Sequence, residues 1–319
     1  MTVPSKKSIL VTGANGFVGT ALCAQARAVG YSVRGTCRSA APSSHNVSVG
    51  SITGLTDWSV ALKGMAVVVH LAARVHVLQE NVLDPLLEFR RVNVDATLNL
   101  AKQAANAGVK RFIFISSIKV NGESTELDTP FRADDTLMPI DSYGLSKREA
   151  EAALLRLGNS TGMEIVIIRP PLVYGAGVKA NFYSMMRWLD LGIPLPLGAV
   201  HNQRSFVALE NLVDLIITCI NHPAAVAQVF LVSDGEDLST SELLRRMAIA
   251  LGKPARLFSV PVGTLQFIAK LLNKQAVAQR LCGSLQLDIS KTRQMLDWTP
   301  PISVDEALKK AAQYYRSTL

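Results

Sequence analysis

Cysteine is scarce. Cys23, Cys37, Cys219 and Cys282 are scattered over 319 residues with no C-x-x-C spacing. That excludes a disulfide framework and a thiolate metal centre; the four read as reduced core or surface thiols, and no metal site is expected. Long apolar runs are missing too. No stretch reaches the roughly 18 residues of a membrane span, and the best approach to one, FVALENLVDLIITCI at 206–220, is broken by Glu210 and Asp214. The opening MTVPSKKSILVTG lacks the apolar core and small-residue cleavage site of a signal peptide. A cytoplasmic chain with no membrane insertion is therefore expected. Nor is there a block of Lys and Arg interleaved with aromatics. The net charge of +8 is dispersed, which argues against a nucleic-acid partner and suits attraction of small anions such as nucleotides. No internal repeat or low-complexity segment stands out.

What is present is an apolar content of 49%, enough for a large core. The first half alternates β-branched runs with helical periodicity. Strands are expected at 8–13, 31–38, 67–73, 111–117 and 164–170, and helices at 17–29, 84–107 and 142–157. The run VVVHLAA is continuously apolar rather than alternating, as strands of a parallel sheet are. This pattern predicts an α/β fold, a Rossmann-type doubly wound parallel sheet. After residue 170, Pro and Gly punctuate the chain and helices predominate, as at 239–251 and 304–317. Residues 1–170 read as a dinucleotide-binding domain and 171–319 as a smaller, mostly helical substrate lobe. The two are interleaved, because segments near 206–233, VFLVS at 229–233 among them, return to the sheet.

The strand SILVTG runs into a loop with Gly13, Gly16 and Gly19 and then a helix. Glycines at that spacing allow a sharp turn and close backbone approach to a pyrophosphate, which the helix N-terminus attracts with free N–H groups and its positive dipole end. A dinucleotide is expected there. The second strand ends GTCRS, offering Arg38 where a carboxylate would hold a ribose diol. An arginine suits a 2′-phosphate, so NADP(H) is favoured, with NAD(H) open if Arg38 only stacks on adenine.

Tyr143 and Lys147 in DSYGLSKREAE lie four apart, on one helix face. Alone that spacing is common by chance. In series with TGANGFVG, HLAA (70–73), SSIKVNG (116–122), YGLSK (143–147) and RPPLVYG (169–175), it resembles the ordered motifs of the extended short-chain dehydrogenase/reductase family, over essentially the whole chain. That family includes nucleotide-sugar 4-epimerases, dehydratases and 4-keto-reductases. The resemblance implies catalytic roles for Ser117 (rather than Ser116), Tyr143 and Lys147. It implies a cofactor cradle of Gly13, Asn15, Gly16, Phe17, Val18 and Gly19, flanked by Arg38, Ser51, Ile52, Leu71, Ala72 and Ala73. Pro170 and Val173 would wall the nicotinamide, and Asn181 and Arg204 would hold the substrate diphosphate. Ser51 stands where many relatives carry an adenine-binding Asp, and Arg280 alone matches the late nucleotide-binding pair.

Within the family, HLAARVHV, SSIKVNGE, RPPLVYGAGVKANF and NQRSFVALENLVDLI are most similar to bacterial 4-reductases of UDP-2-acetamido-2,6-dideoxy-4-keto-hexoses. These make UDP-N-acetylquinovosamine or a similar sugar for surface polysaccharide. A 4-keto-reductase with UDP-sugar substrate is the leading expectation. A UDP-hexose 4-epimerase with tightly bound NAD is the rival, and a non-catalytic dinucleotide sensor the third reading, which the tyrosine–lysine pair opposes. A homodimer through helices at 84–107 and 142–157 follows by analogy only. Lys119 either contacts the sugar or its phosphates, or is a solvated loop lysine. His70 reads as structural; His76, His201 and His222 lack metal spacing; Tyr314 and Tyr315 read as packing. Arg74 and His76 could line the site.

Overall fold

The computed structural model describes residues 7–39, 45–75 and 84–319; His76 lies outside them. The elements run β1 (Ser8–Thr12), α1 (Phe17–Ala28), β2 (Ser32–Cys37), β3 (Asn46–Ser48), α2 (Ser59–Leu62), β4 (Val67–His70), α3 (Pro85–Arg90), a π-helical stretch (Arg91–Ala96), α4 (Thr97–Asn106), β5 (Arg111–Ile115) and a 3₁₀ turn (Ile118–Val120). They continue with α5 (Ser142–Thr161), β6 (Glu164–Arg169), β7 (Leu172–Tyr174), α6 (Ala180–Asp190), β8 (Arg204–Ala208), α7 (Leu209–Asn221), β9 (Gln228–Leu231), β10 (Asp237–Leu238), α8 (Thr240–Ala250), α9 (Val262–Leu271), α10 (Gln275–Cys282), α11 (Ser290–Leu296) and α12 (Val304–Ser317).

Seven strands form a parallel sheet in the order β3-β2-β1-β4-β5-β6-β9. Side chains alternate across it, and both faces are apolar. Ile9, Val11, Val69, Ile113 and Val166 join the core beneath α1 and α7. Leu10, Val68, Phe112, Phe114 and Ile167 join the core beneath α2, α4 and α5. Each such side chain, withdrawn from water, contributes roughly 1.5–3 kcal/mol, which is why strands covered on both sides read as unbroken apolar runs. The chain leaves β1 toward β2 and β3, then crosses back to β4 on the other side. A crevice opens at that reversal, outside the carboxyl ends of β1 and β4.

Of the later segments, β9 completes this sheet beside β6, as read from VFLVS. Arg204–Ala208 does not enter it; β8 pairs with β7 and β10 in a separate three-stranded sheet. A second core of Phe182, Met186, Leu244, Met247, Leu308 and Tyr315 binds α6, α8 and α12 around that small sheet. Residues 284–288 thread between the two parts: Ser205 N–H donates to Leu285 O (2.8 Å) on one side and Phe131 N–H to Gln286 O (2.8 Å) on the other.

Two helices differ from expectation. The span 84–107 is not one α-helix, because a π stretch at Arg91–Ala96 widens its middle. It turns the polar Asn93 and the side of Thr97 inward, where both are buried. The helix expected at 142–157 continues to Thr161, past the end of its apolar periodicity, until Gly162 takes a left-handed conformation (φ 76°) that ends it.

Candidate active site

The carboxyl end of β1 turns at Gly13, whose φ of +67° excludes most side chains and whose missing Cβ would sit 3.1 Å from the Ala72 backbone nitrogen. A Cβ on Gly19 would meet the Gly13 carbonyl and lie 2.9 Å from Ala14 Cα. The two glycines thus let α1 lie against the loop, and the loop against Leu71–Ala73. Gly16 caps α1 with no side-chain partner and no acidic residue in the first turn. Asn15 and Gly16 are exposed, and Phe17 and Val18 half-buried, around these free N–H groups. This cradle fits an anionic pyrophosphate: it offers backbone donors, the positive end of a helix dipole and no competing carboxylate.

Thr12 fixes the two crossovers to each other. Its hydroxyl accepts from Leu71 and Ala72 N–H (3.2 Å each), so its proton goes to His70 Nδ1 (2.7 Å), and Nε2–H donates to Thr97 Oγ1 (3.0 Å). Burial, with the nearby charge of Lys147, pushes the His70 pKa down to about 3, so the ring is neutral and spent on this linkage.

On the other side, β5 ends at Ile115. Ser116 is buried, its hydroxyl without a partner among the described residues. Ser117 is half-buried at the start of the 3₁₀ turn. Helix α5 presents Tyr143 and Lys147 to this point. Lys147 is completely buried; its Nζ donates to Ile115 O (2.8 Å) and lies 4.3 Å from the Phe114 ring centroid. An ammonium has three protons to donate, and this one acceptor leaves it under-satisfied. Burial accordingly pulls its pKa down to about 7, against the opposing charge of Glu151. Tyr143 is pushed up to about 12, by burial first and the Asp141 charge second, while the Ser117 hydroxyl pulls it down. A phenol made acidic by its lysine is therefore not what the protein alone provides, because the lysine is itself on the edge of losing its proton.

Lys119 is partly exposed (35%) and turned toward carboxylates. It pairs with Glu123 (2.9 Å) and with Asp141 Oδ2, which together hold its pKa up against burial. The other Asp141 oxygen caps α5 through Gly144 N–H (2.6 Å). Lys119 thus braces the turn that carries Tyr143. Gly144 explains the closeness: a Cβ there would stand 2.7 Å from the Lys119 carbonyl. Gly144→Ala should cost about 1–3 kcal/mol by overpacking, measured as a loss of unfolding free energy in urea; an unchanged value would show that the turn gives way freely.

Sequence reasoning missed three groups. Asn93 is buried and accepts from Arg74 N–H (2.9 Å), donates to Arg74 O and Ser146 Oγ (3.0 Å each), and so ties the loop after β4 to α5. Arg74 itself turns to Glu88 (2.9 Å). Glu151 and Arg169 form a buried two-bond pair (3.0 and 2.6 Å) whose guanidinium also reaches Asn121 Oδ1 (3.0 Å). Tyr143, Lys147 and Glu151 recur every four residues on one helix face, and that was the available signal.

Of the other expected residues, Pro170 is buried and Val173 half-buried beyond β6, and Pro170 O accepts from Ile118 N–H (3.0 Å). Arg38 and Ser51 are exposed and Ile52 half-buried beyond β2 and β3. In the lobe, Arg204 and Arg280 come together: burial lowers the Arg204 pKa, and the Arg280 charge lowers it further. Arg204 donates to Gly283 O (2.9 Å). Asn181 is exposed in the first turn of α6, with no bond to either arginine.

A UDP-glucose 4-epimerase of Vibrio cholerae is 50% identical over 97% of this chain and 95% of its own. An N-acetyl-alpha-D-glucosaminyl-diphospho-ditrans,octacis-undecaprenol 4-epimerase of Escherichia coli O157:H7 is 27% identical over 96% of this chain and 95% of its own. Among solved structures, a UDP-glucuronic acid 4-epimerase from Bacillus cereus in complex with NAD shares the fold, with a TM-score of 0.78 at 22% identity, over 98% of this chain and 97% of that one. The expected 4-keto-reductase is overturned by the half-identical epimerase. The physical reason is that one serine, tyrosine and lysine set serves both reactions, so the motifs that led to the reductase do not encode the outcome. With the glycine cradle, the serine and the tyrosine–lysine helix at the carboxyl edge of one parallel sheet, and residues 9–233 matching its model, the chain belongs to the NAD dependent epimerase/dehydratase family.

Proposed function

We propose that this chain is a UDP-hexose 4-epimerase, acting on UDP-glucose and its 4-epimer with NAD as a retained cofactor. The observation that carries this reading is the half-identical 4-epimerase relative, which extends over nearly the whole chain. The E. coli relative is also named as a 4-epimerase of a diphosphate-linked sugar. The paired Arg204 and Arg280 fit that diphosphate. The preference for NADP(H) drawn from Arg38 gains no support. NAD is the molecule in the complex that shares this fold, and it is the proposed cofactor.

Bound in the glycine cradle, NAD would supply the acceptor and donor of the C4 hydride. The protein's own groups manage the proton. Tyr143 takes it from the sugar 4-hydroxyl and returns it after the ring has turned, and Ser117 donates a hydrogen bond to the same oxygen. Lys147 has two unused donors beside this point. Once they meet hydroxyl acceptors, its charge is restored and the neighbouring phenol becomes easier to ionise. The half-buried Leu71, Ala72, Ala73 and Val173, with Pro170, keep water from the hydride path.

The test is to purify the protein, denature it and chromatograph the released nucleotide. NAD close to one per chain is expected, with UDP-glucose converted to UDP-galactose without added cofactor. A protein that arrives empty and consumes NADPH only with a keto-sugar would refute the epimerase.

A further inference from the structure

The stretch 253–287 contains no Asp or Glu, against five cations: Lys253, Arg256, Lys270, Lys274 and Arg280. It carries α9 and α10, and no residue of α9 is buried against the described residues. Val262 and Leu265 lean on the lobe core. The helix and its C-cap residue leave Phe267 (63%), Ile268 (46%), Leu271 (69%) and Leu272 (65%) exposed. Positions 267, 268, 271 and 272 fall within one arc of a helical wheel, with Lys270 at its margin. Asn273, in a left-handed conformation (φ 53°), then turns the chain into α10. There Val277 (48%) continues the exposed apolar ridge. Lys270, Lys274 and Arg280 have no carboxylate partner among the described residues.

We propose that α9 and α10 form a docking element for an anionic lipid bilayer surface. An apolar ridge edged by lysines suits the headgroup boundary: aliphatic and aromatic side chains enter it while the ammonium groups reach lipid phosphates. Neither helix is long or apolar enough to cross a membrane, so the element lies on the surface. A second copy is the poorer occupant, because a two-fold contact sets the same acid-free, positively charged face against itself. Arg280 sits one turn beyond Val277 on α10, near Arg204, so the docked face adjoins the arginine pair. The inference rests on this surface and not on the epimerase reading.

The experiment is co-sedimentation of the full chain with vesicles of phosphatidylcholine and phosphatidylglycerol, against phosphatidylcholine alone. Binding to the anionic vesicles, weakened by salt, is expected. Leu271→Asp with Leu272→Asp should abolish it. Lys270→Gln with Lys274→Gln should weaken it roughly 25-fold, about fivefold for each charge. All four residues are exposed, so both variants should keep the wild-type melting curve and sugar epimerisation in solution, which separates failure here from failure of the proposed activity. Absence of sedimentation with anionic vesicles overturns the proposal. So does a concentration-dependent dimer that the leucine variant dissolves while the wild type ignores vesicles.

Discussion

Tyr143→Phe is expected to lower turnover of UDP-glucose by about 10²–10⁴-fold while leaving the fold and the retained nucleotide in place. The substitution removes one oxygen. The ring, which meets Phe89 edge-on at 5.9 Å, keeps its packing. What disappears is the phenolic hydroxyl beside Ser117, the group proposed to carry the sugar proton. The measurement is kcat by a coupled assay, together with a melting curve and the nucleotide content of the purified variant. Loss of turnover with nucleotide retained assigns the effect to the proton. Undiminished turnover would remove Tyr143 from the reaction, and with it the proposed chemistry.

The largest stability effect is expected at Glu151. Its pair with Arg169 leaves both side chains 3% exposed. Deleting Glu151 strands a guanidinium in the interior, where among the described residues it retains Asn121 Oδ1 (3.0 Å) and Ala133 O (3.1 Å). Glu151→Ala should therefore cost about 3–5 kcal/mol in denaturant unfolding. A control sits on the same helix. Glu149 makes an equally well-formed pair with Arg90 (2.8 and 2.6 Å), but in partial contact with solvent. Glu149→Ala should cost less than about 1 kcal/mol. Equal losses in the two variants would show that burial does not set the worth of these pairs here. Glu151 also supports the charge of Lys147, so its loss should reach the site as well as the fold.

The fold was legible because a parallel sheet covered on both faces writes itself as apolar runs, and because glycine at Gly13 and Gly19 answers a steric demand that no other residue meets. Tyr143 and Lys147 were legible as a spacing and Ser117 through the family resemblance, and all three lie at one edge of the sheet. Their electrostatics were not, because the ionisation of Lys147 depends on what buries it and how few acceptors it finds. Lys119 was read as either sugar-facing or solvated; its bond to Asp141 joins positions 22 apart in the chain and leaves no periodic trace. Asn93 was hidden by a π stretch that shifts the phase of its helix. Segments near 206–233 were expected to return to the sheet; β9 does, whereas Arg204–Ala208 pairs with β7 and β10, because a short apolar strand does not say which sheet it joins.

Residues 284–288 bear on where this chain could be cut. The family match ends at residue 233, yet a fragment stopped there would strip the hydrogen-bond partners from Phe131 and Ser205 and uncover the cores beneath α11 and α12. The family model and the mechanical unit have different borders in this molecule. Anyone seeking a minimal piece of it should expect the tail to be indispensable.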